Sequence, residues 1–467
     1  MGINLKSNAQ AVSCSSSPPE PTQGDLLVQG QGAYASQDFG LALEILLPLA
    51  QQGNSVAACH LGLMCELGQG LARDAVEAGR WFQLAASQGD ARAQNNLGLK
   101  YVAGNGVVQD DQEALKWFRL SADQGYAFAQ NNLGVMYEKG QGTPQDFVQA
   151  VALYRAAAEQ GNALAQNNLG CMYASGHGVP QDYAQAVRWY LLGSEQGNAL
   201  AQNNMGWMYA NGYGVSQDYK EAVRWYRLAV DQGNALAQTN LGVMYANGRG
   251  VPRSDEEAVK WYRLGAELGN AFAQGNLGWV YANGRGVPQS DEEAVKWYRL
   301  SADQGNATAQ RNLGWMYANG QFVERDYVQA AKWYQLSAEQ GNAVAQTNLG
   351  AMYANGRGVA RDYQEAVKWY RLAAEQGNVT AQRNLGWLFE KGYGVVSDNV
   401  AAYALYELSR RGNALSDGKV RTSCSRLEGR MSNNDLGAAR KLAGEMDLSE
   451  GMLAVLDTYL GQKKRMA

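Results

Sequence analysis

A thiol beside an imidazole holds the makings of a nucleophile and its base, and Cys59-His60 is where this chain sets the two together. Neighbouring residues on a helix point about 100° apart, which is poor geometry for proton transfer between them. The second histidine, His177, has no cysteine beside it, so material for His-based catalysis or metal ligation is nearly absent. The five cysteines, Cys14, Cys59, Cys65, Cys171 and Cys424, form neither a disulfide framework nor a zinc-ligand pattern. No catalytic residue, metal site or cofactor is expected. A different chemistry does recur at a fixed spacing. Trp207, Trp279, Trp315 and Trp387 are separated by multiples of 36 residues, and tryptophan offers large apolar area with few rotamers, which suits binding.

The elements that would position those rings share the same period. A Leu/Met-Gly pair ends at Gly62, Gly98, Gly134, Gly170, Gly206, Gly242, Gly278, Gly314, Gly350 and Gly386, and a large apolar residue follows each glycine 19 positions later. Residues 26–54 read as a worn extra copy, with Ile45 in phase. In the unit 197–232, Ala199–Ala210 is expected to be helical and Asn211-Gly212 to end it through a left-handed glycine. Asp218 then reads as the N-cap of a second helix running to Gln232. Such a hairpin cannot bury its apolar stripe alone, whereas stacked copies can. The Gly-x-Gly loops follow helices rather than strands, so they read as turns and not as phosphate cradles.

The pattern A-x-A-Q-N-N-x-G-x-M-Y-A-N-G-x-G-V-x-x-D-Y-x-x-A-V-x-W-Y-R-L-A resembles the Sel1-like repeat, a relative of the tetratricopeptide repeat, over roughly residues 26–412. The resemblance implies an all-α, right-handed α-solenoid with first helices on the concave side, and a scaffold or adaptor role. The disulfide pairs of the family's cysteine-rich branch are missing. Some members are linked to β-lactam binding, but the repeats lack a Ser-x-x-Lys on a suitable helix. The expected organisation is a disordered Ser/Pro-rich segment over 1–24, the solenoid over 25–412, and capping helices over 413–467, with helices at Ser432–Met446 and Leu448–Leu460.

On a helical wheel Ala201, Met205, Met208 and Tyr209 form the core face, and Gly206 lies on a flank where the next helix can approach. The residue after that glycine points away from the core. Trp207, Trp279, Trp315 and Trp387 take this position, so they either line a binding channel or pack between adjoining first helices. Two before the glycine, Asn204, Asn240, Asn276, Asn312, Asn348 and Asn384 continue a row begun at Asn96. It serves either as a ladder between units or as hydrogen bonds to a peptide backbone. Three before the glycine the residue varies, and it too is placed away from the core. Arg311 and Arg383 stand there beside Trp315 and Trp387, a pairing suited to an acidic peptide or equally a drift of surface residues. Phe322 replaces a turn glycine and is either a contact or a tolerated change.

With a net charge of −4 no basic field for nucleic acid is implied. Cations such as Arg224 and Lys296 follow Glu221 and Glu293 by three positions and read as a solvated, balanced face. No apolar run reaches the ~18 residues a membrane span needs. The polar start lacks the apolar core of a signal peptide, so the compartment is left open: cytoplasmic by default, periplasmic or secreted if a leader was removed. The expected partner is a protein or peptide held by a monomer. A structural spacer, or a rod associating end to end, is the competing reading.

Overall fold

The computed structural model describes residues 22–412, 418–449 and 451–466, and among them 25 helices succeed one another without a strand. They form two compact units, divided between Gln217 and Asp218.

The repeat 307–342 shows how the sequence builds each hairpin. Asn306 caps the first helix, Ala307–Asn319, by accepting from the Ala309 amide, and Gly320 ends it at φ 65°. Asp326 accepts from the amides of Val328 and Gln329, opening the second helix, Tyr327–Glu339. Small and apolar residues face inward: Ala309, Leu313 and Met316 from the first helix, Ala330, Tyr334 and Ala338 from the second, all almost fully buried. Gly314 is glycine because of that packing. A Cβ there would lie 2.7 Å from Tyr334 Cδ1. Gly242 meets Tyr262 in the same way. The close approach expected of the next helix is therefore made by a ring of the repeat's own second helix.

Buried amides join one hairpin to the next. Gln310 donates Nε2 to the Ala302 carbonyl of the preceding second helix at 3.1 Å, and accepts from Gln340 Nε2 at 2.8 Å. The same relay recurs at Gln166 with Ala158 and Gln196, and at Gln346 with Ala338 and Gln376. The expected charge row is also present, as exposed i,i+3 pairs such as Arg224–Glu221 and Lys296–Glu293. Pairs so exposed contribute at most about 1 kcal/mol each.

Both ends depart from the repeat. Helices Gln23–Ala35 and Phe39–Gln51 form the worn first hairpin, and Thr22 with Asp25 makes a capping box that starts helix at Gln23, two residues before the expected solenoid start at 25. The rest of the Ser/Pro-rich segment, with Cys14, lies outside the described residues. Beyond the last repeat three helices stand where two were expected: Gly418–Glu428, Asn433–Leu448 and Met452–Met466. Leu448 ends the second of these, because Ser449 turns extended. Leu427, Leu442, Met446 and Leu456 bury against the cluster holding Tyr403 and Leu405, so the three helices cover the apolar face the last hairpin would otherwise expose.

Candidate partner-binding surface

Trp207, Trp279, Trp315 and Trp387 are 42, 42, 43 and 38% exposed, whereas Met208 and Met316, one residue on from Trp207 and Trp315, are almost wholly buried. The expected outward direction is what the fold gives them. Each sits on a helix held from both ends, and Asn211, Asn283 and Asn319 each donate to the carbonyl of the tryptophan four residues earlier at 2.8 Å. Three of the rings pack on a neighbour. Trp207 leans on Tyr213, itself stacked on Tyr183; Trp387 leans on Tyr393, stacked on Tyr363; the Arg285 guanidinium lies 5.1 Å from the Trp279 ring. The exposed part of each tryptophan is apolar area on a rigid support.

The asparagine row joins neighbouring helices. Asn204 Nδ2 donates to Asn167 Oδ1 at 2.9 Å, and its own Oδ1 accepts from Asn203 at 3.4 Å. Further along, Asn312, Asn348 and Asn384 meet the buried hydroxyls of Tyr298, Tyr334 and Tyr370 from the preceding second helix. Asn240 and Asn276 are half-buried in the same row. Burial drives the Tyr334 and Tyr370 phenols up to about 12, against the pull of these amides and of nearby arginines.

The position three before the glycine corrects the wheel. Asn95, Asn131, Asn167, Asn203, Thr239 and Thr347 are buried there, and Arg311 and Arg383 are half-buried rather than turned wholly outward. A wheel sees only the hairpin's own partner helix, while the adjoining repeat covers this flank as well. The Arg311 charge acts on both Tyr298 and Tyr334, and Arg383 reaches Asn384 at 3.5 Å. Phe322 is half-buried against the cluster of Tyr298 and Met316, beside Val295 and Trp333, with φ 68°.

Cys59 and His60 do not form a dyad. Cys59 is buried, which raises its thiol to about 12, and His60 Nδ1 lies 2.8 Å from the Val56 carbonyl with its ring nearly perpendicular to that of Tyr34. Burial also holds the imidazole below the usual histidine range.

One arrangement escaped the sequence reading. An arginine on each of several second helices donates Nη2 to a tyrosine hydroxyl on the next first helix. Arg119–Tyr137, Arg155–Tyr173, Arg263–Tyr281 and Arg299–Tyr317 do so at 2.8 Å and Arg227–Tyr245 at 3.2 Å. The constant spacing of 18 residues was the available signal.

The Sel1 repeat profile matches ten consecutive segments, from 55–90 to 379–413, in the register set by the glycines. The chain belongs to the Sel1 repeat family. Among solved structures it is similar to a protective antigen of uropathogenic Escherichia coli displaying an SLR fold. The two are 34% identical over 94% of this chain and 95% of that one, with a TM-score of 0.63. A Sel1 repeat protein from Oxalobacter formigenes is 32% identical over 52% of this chain and 96% of that one, with a TM-score of 0.49. No curated protein matches the chain. The Sel1 fold is a repeat scaffold that generally serves protein interaction. No described helix is long and apolar enough to cross a membrane.

Proposed function

We propose that this Sel1 repeat protein is an adaptor that holds a protein or peptide partner on the outward side of its first helices, the side the family resemblance makes concave. The observation that supports this is the exposure of Trp207, Trp279, Trp315 and Trp387 on helices whose cores are complete without them. Interface hot spots are enriched in tryptophan and arginine. Arg311, near Trp315 in sequence, supplies a half-buried cation that forms no ion pair among the described residues, which favours an acidic segment in the partner. The asparagines serve mainly as the frame that fixes these helices, and Phe322 extends the apolar surface at one loop.

The test is capture of partners by the purified chain beside a variant with alanine at all four tryptophans, after circular dichroism shows equal helicity. Loss of a hot-spot ring costs about 2 kcal/mol or more, a weakening of roughly 30-fold. Partners kept by the wild type and lost by the variant support the adaptor. Equal capture would shift the site to another face and leave a spacer as the better reading. A fall in helicity would mean the rings are core.

A further inference from the structure

Arg371 occupies the same position in its repeat as the arginines that clasp a tyrosine, but the next first helix offers Phe389, which has no hydroxyl. The chain's own last helix supplies the partner instead. Asp457 accepts from Arg371 Nη2 at 2.6 Å, Lys463 Nζ donates to Asp398 Oδ2 at 2.7 Å, and Glu375 Oε2 accepts from the Leu453 amide at 2.7 Å near that helix's start. Leu460 reaches the apolar floor beside Phe389 and Val395. The helix Met452–Met466 thus reads three charged points on the repeat: an arginine, an N-cap aspartate, and an acid at the end of the second helix.

The same three points stand two repeats earlier, with no segment among the described residues reading them. Arg299, Tyr317, Val323, Asp326 and Asp303 stand 72 positions before Arg371, Phe389, Val395, Asp398 and Glu375. Arg299, Tyr317, Val323 and Asp326 line a pocket of about 950 Å³ that also takes in Tyr327 and Trp333. Arg299 is exposed and, among the described residues, bonded to the Tyr317 hydroxyl alone, and Asp326 spends Oδ1 on its helix N-terminus. Elsewhere in this unit the pairing of arginine with an acidic N-cap is broken. Arg227 and Arg263 go with Ser254 and Ser290, and Asp362 goes with Gln335. In the other unit Arg119 with Asp146 and Arg155 with Asp182 retain it. Around the pocket, Glu324 and Arg325 replace the Val396 and Ser397 that the last helix meets.

We propose that the pocket of Arg299, Tyr317, Val323 and Asp326 docks a helix of a partner protein that presents a carboxylate to Arg299 and, about six residues on, a cation to Asp326. The partner's helix starts over Asp303, where its free amides and positive dipole end meet the acid, as Leu453 meets Glu375. This surface differs from the tryptophan face, since Tyr317 lies two residues and about 200° round the helix from Trp315. It therefore does not depend on the adaptor reading above.

A synthetic peptide of residues 451–466 with a photoreactive group at Leu460 is the probe, added to the full chain. The expected result is saturable binding with cross-links falling within 317–329. Arg299→Glu, checked for helicity, should weaken that cross-linking at least tenfold, and a peptide carrying Asp457→Lys should restore it to the variant. The four-tryptophan alanine variant should bind the peptide as the wild type does. Cross-links confined to 389–398 would mean that the peptide only displaces the chain's own helix, and would overturn the proposal. So would cross-links indifferent to Arg299→Glu. A wild-type mass that doubles with concentration, and does not for Arg299→Glu, would make the occupant a second copy and overturn the partner assignment.

Discussion

Asn132 Nδ2 donates to Asn95 Oδ1 across 2.9 Å, although 37 residues separate them. The next rungs are Asn168 to Asn131 at 3.0 Å and Asn204 to Asn167 at 2.9 Å. The first rung is missing, because Cys59 stands where Asn95 would and leaves the buried Asn96 Nδ2 without an acceptor. Cys59→Asn should supply it and raise stability by about 1 kcal/mol. Asn168→Ala should cost about 1–3 kcal/mol by orphaning Asn131 Oδ1. Urea midpoints of the two variants check both signs.

Phe322 reverses the usual order of alanine and glycine. At the matching loop position Gly286 and Gly358 approach the Asp255 and Tyr327 backbone carbonyls so closely that a Cβ would clash with them. Phe322 holds the left-handed conformation with a side chain attached, which costs about 1–2 kcal/mol. Phe322→Ala keeps that strain and loses the ring, whereas Phe322→Gly loses the ring and the strain together. The glycine variant should be the more stable by about 1 kcal/mol, read from thermal or urea unfolding.

Alkali should unfold the repeats over a defined range. Burial raises the phenols of Tyr226, Tyr262, Tyr298, Tyr334 and Tyr370, to about 12 for Tyr262, Tyr334 and Tyr370. Above the ordinary tyrosine value of about 10 the unfolded chain loses these protons while the folded chain keeps them. The folded state then binds more protons, so stability is full below pH ~10 and falls as pH rises towards the folded values, by up to about 1.4 kcal/mol per pH unit per phenol. Urea midpoints between pH 9 and 12 should drop steeply, and Tyr334→Phe should make the slope shallower.

Acid should loosen the C-terminal helices first. Burial opposes the charge of Glu390, but hydrogen bonds from Arg426 at 2.7 Å and Tyr406 at 3.0 Å, with the charges of Arg426 and Lys391, bring its carboxyl below the usual range. A lowered folded value means stability that is present above the unfolded value, about 4.3, and lost as pH falls through the folded one. Hydrogen-exchange protection of residues 418–428, corrected for the intrinsic rate at each pH, should fall over that window in the wild type. Glu390→Gln should show the lower protection already at pH 7, with little further change in acid.

The hairpins were legible because a 36-residue period fixes the glycines, caps and apolar stripes at once, and the outward tryptophans followed from the angle between Gly314 and Trp315. What failed were relationships between units. The burial of Asn131 and Thr239 depends on the neighbouring repeat, which a wheel drawn for one helix does not contain. The Arg299–Tyr317 clasp crosses from one repeat into the next, and the docking of Asp457 on Arg371 joins residues 86 apart. At the C-terminal end the period that made the rest readable stops, and the helix Gly418–Glu428 went unforeseen.

The glutamine relay has a consequence for inheritance. Gln310 takes from the repeat behind it the same bond that Gln346 takes from the repeat before its own. An in-frame duplication or loss of one 36-residue repeat inside the array therefore rejoins surfaces that share this relay, and the relay asks for no compensating substitution. Gene length can then drift by recombination between copies while the relay stays intact. Arg299 with Asp326 and Arg371 with Asp398 would be drawn together or moved apart by whole repeats, so selection could adjust the distance between two docking points without altering either one.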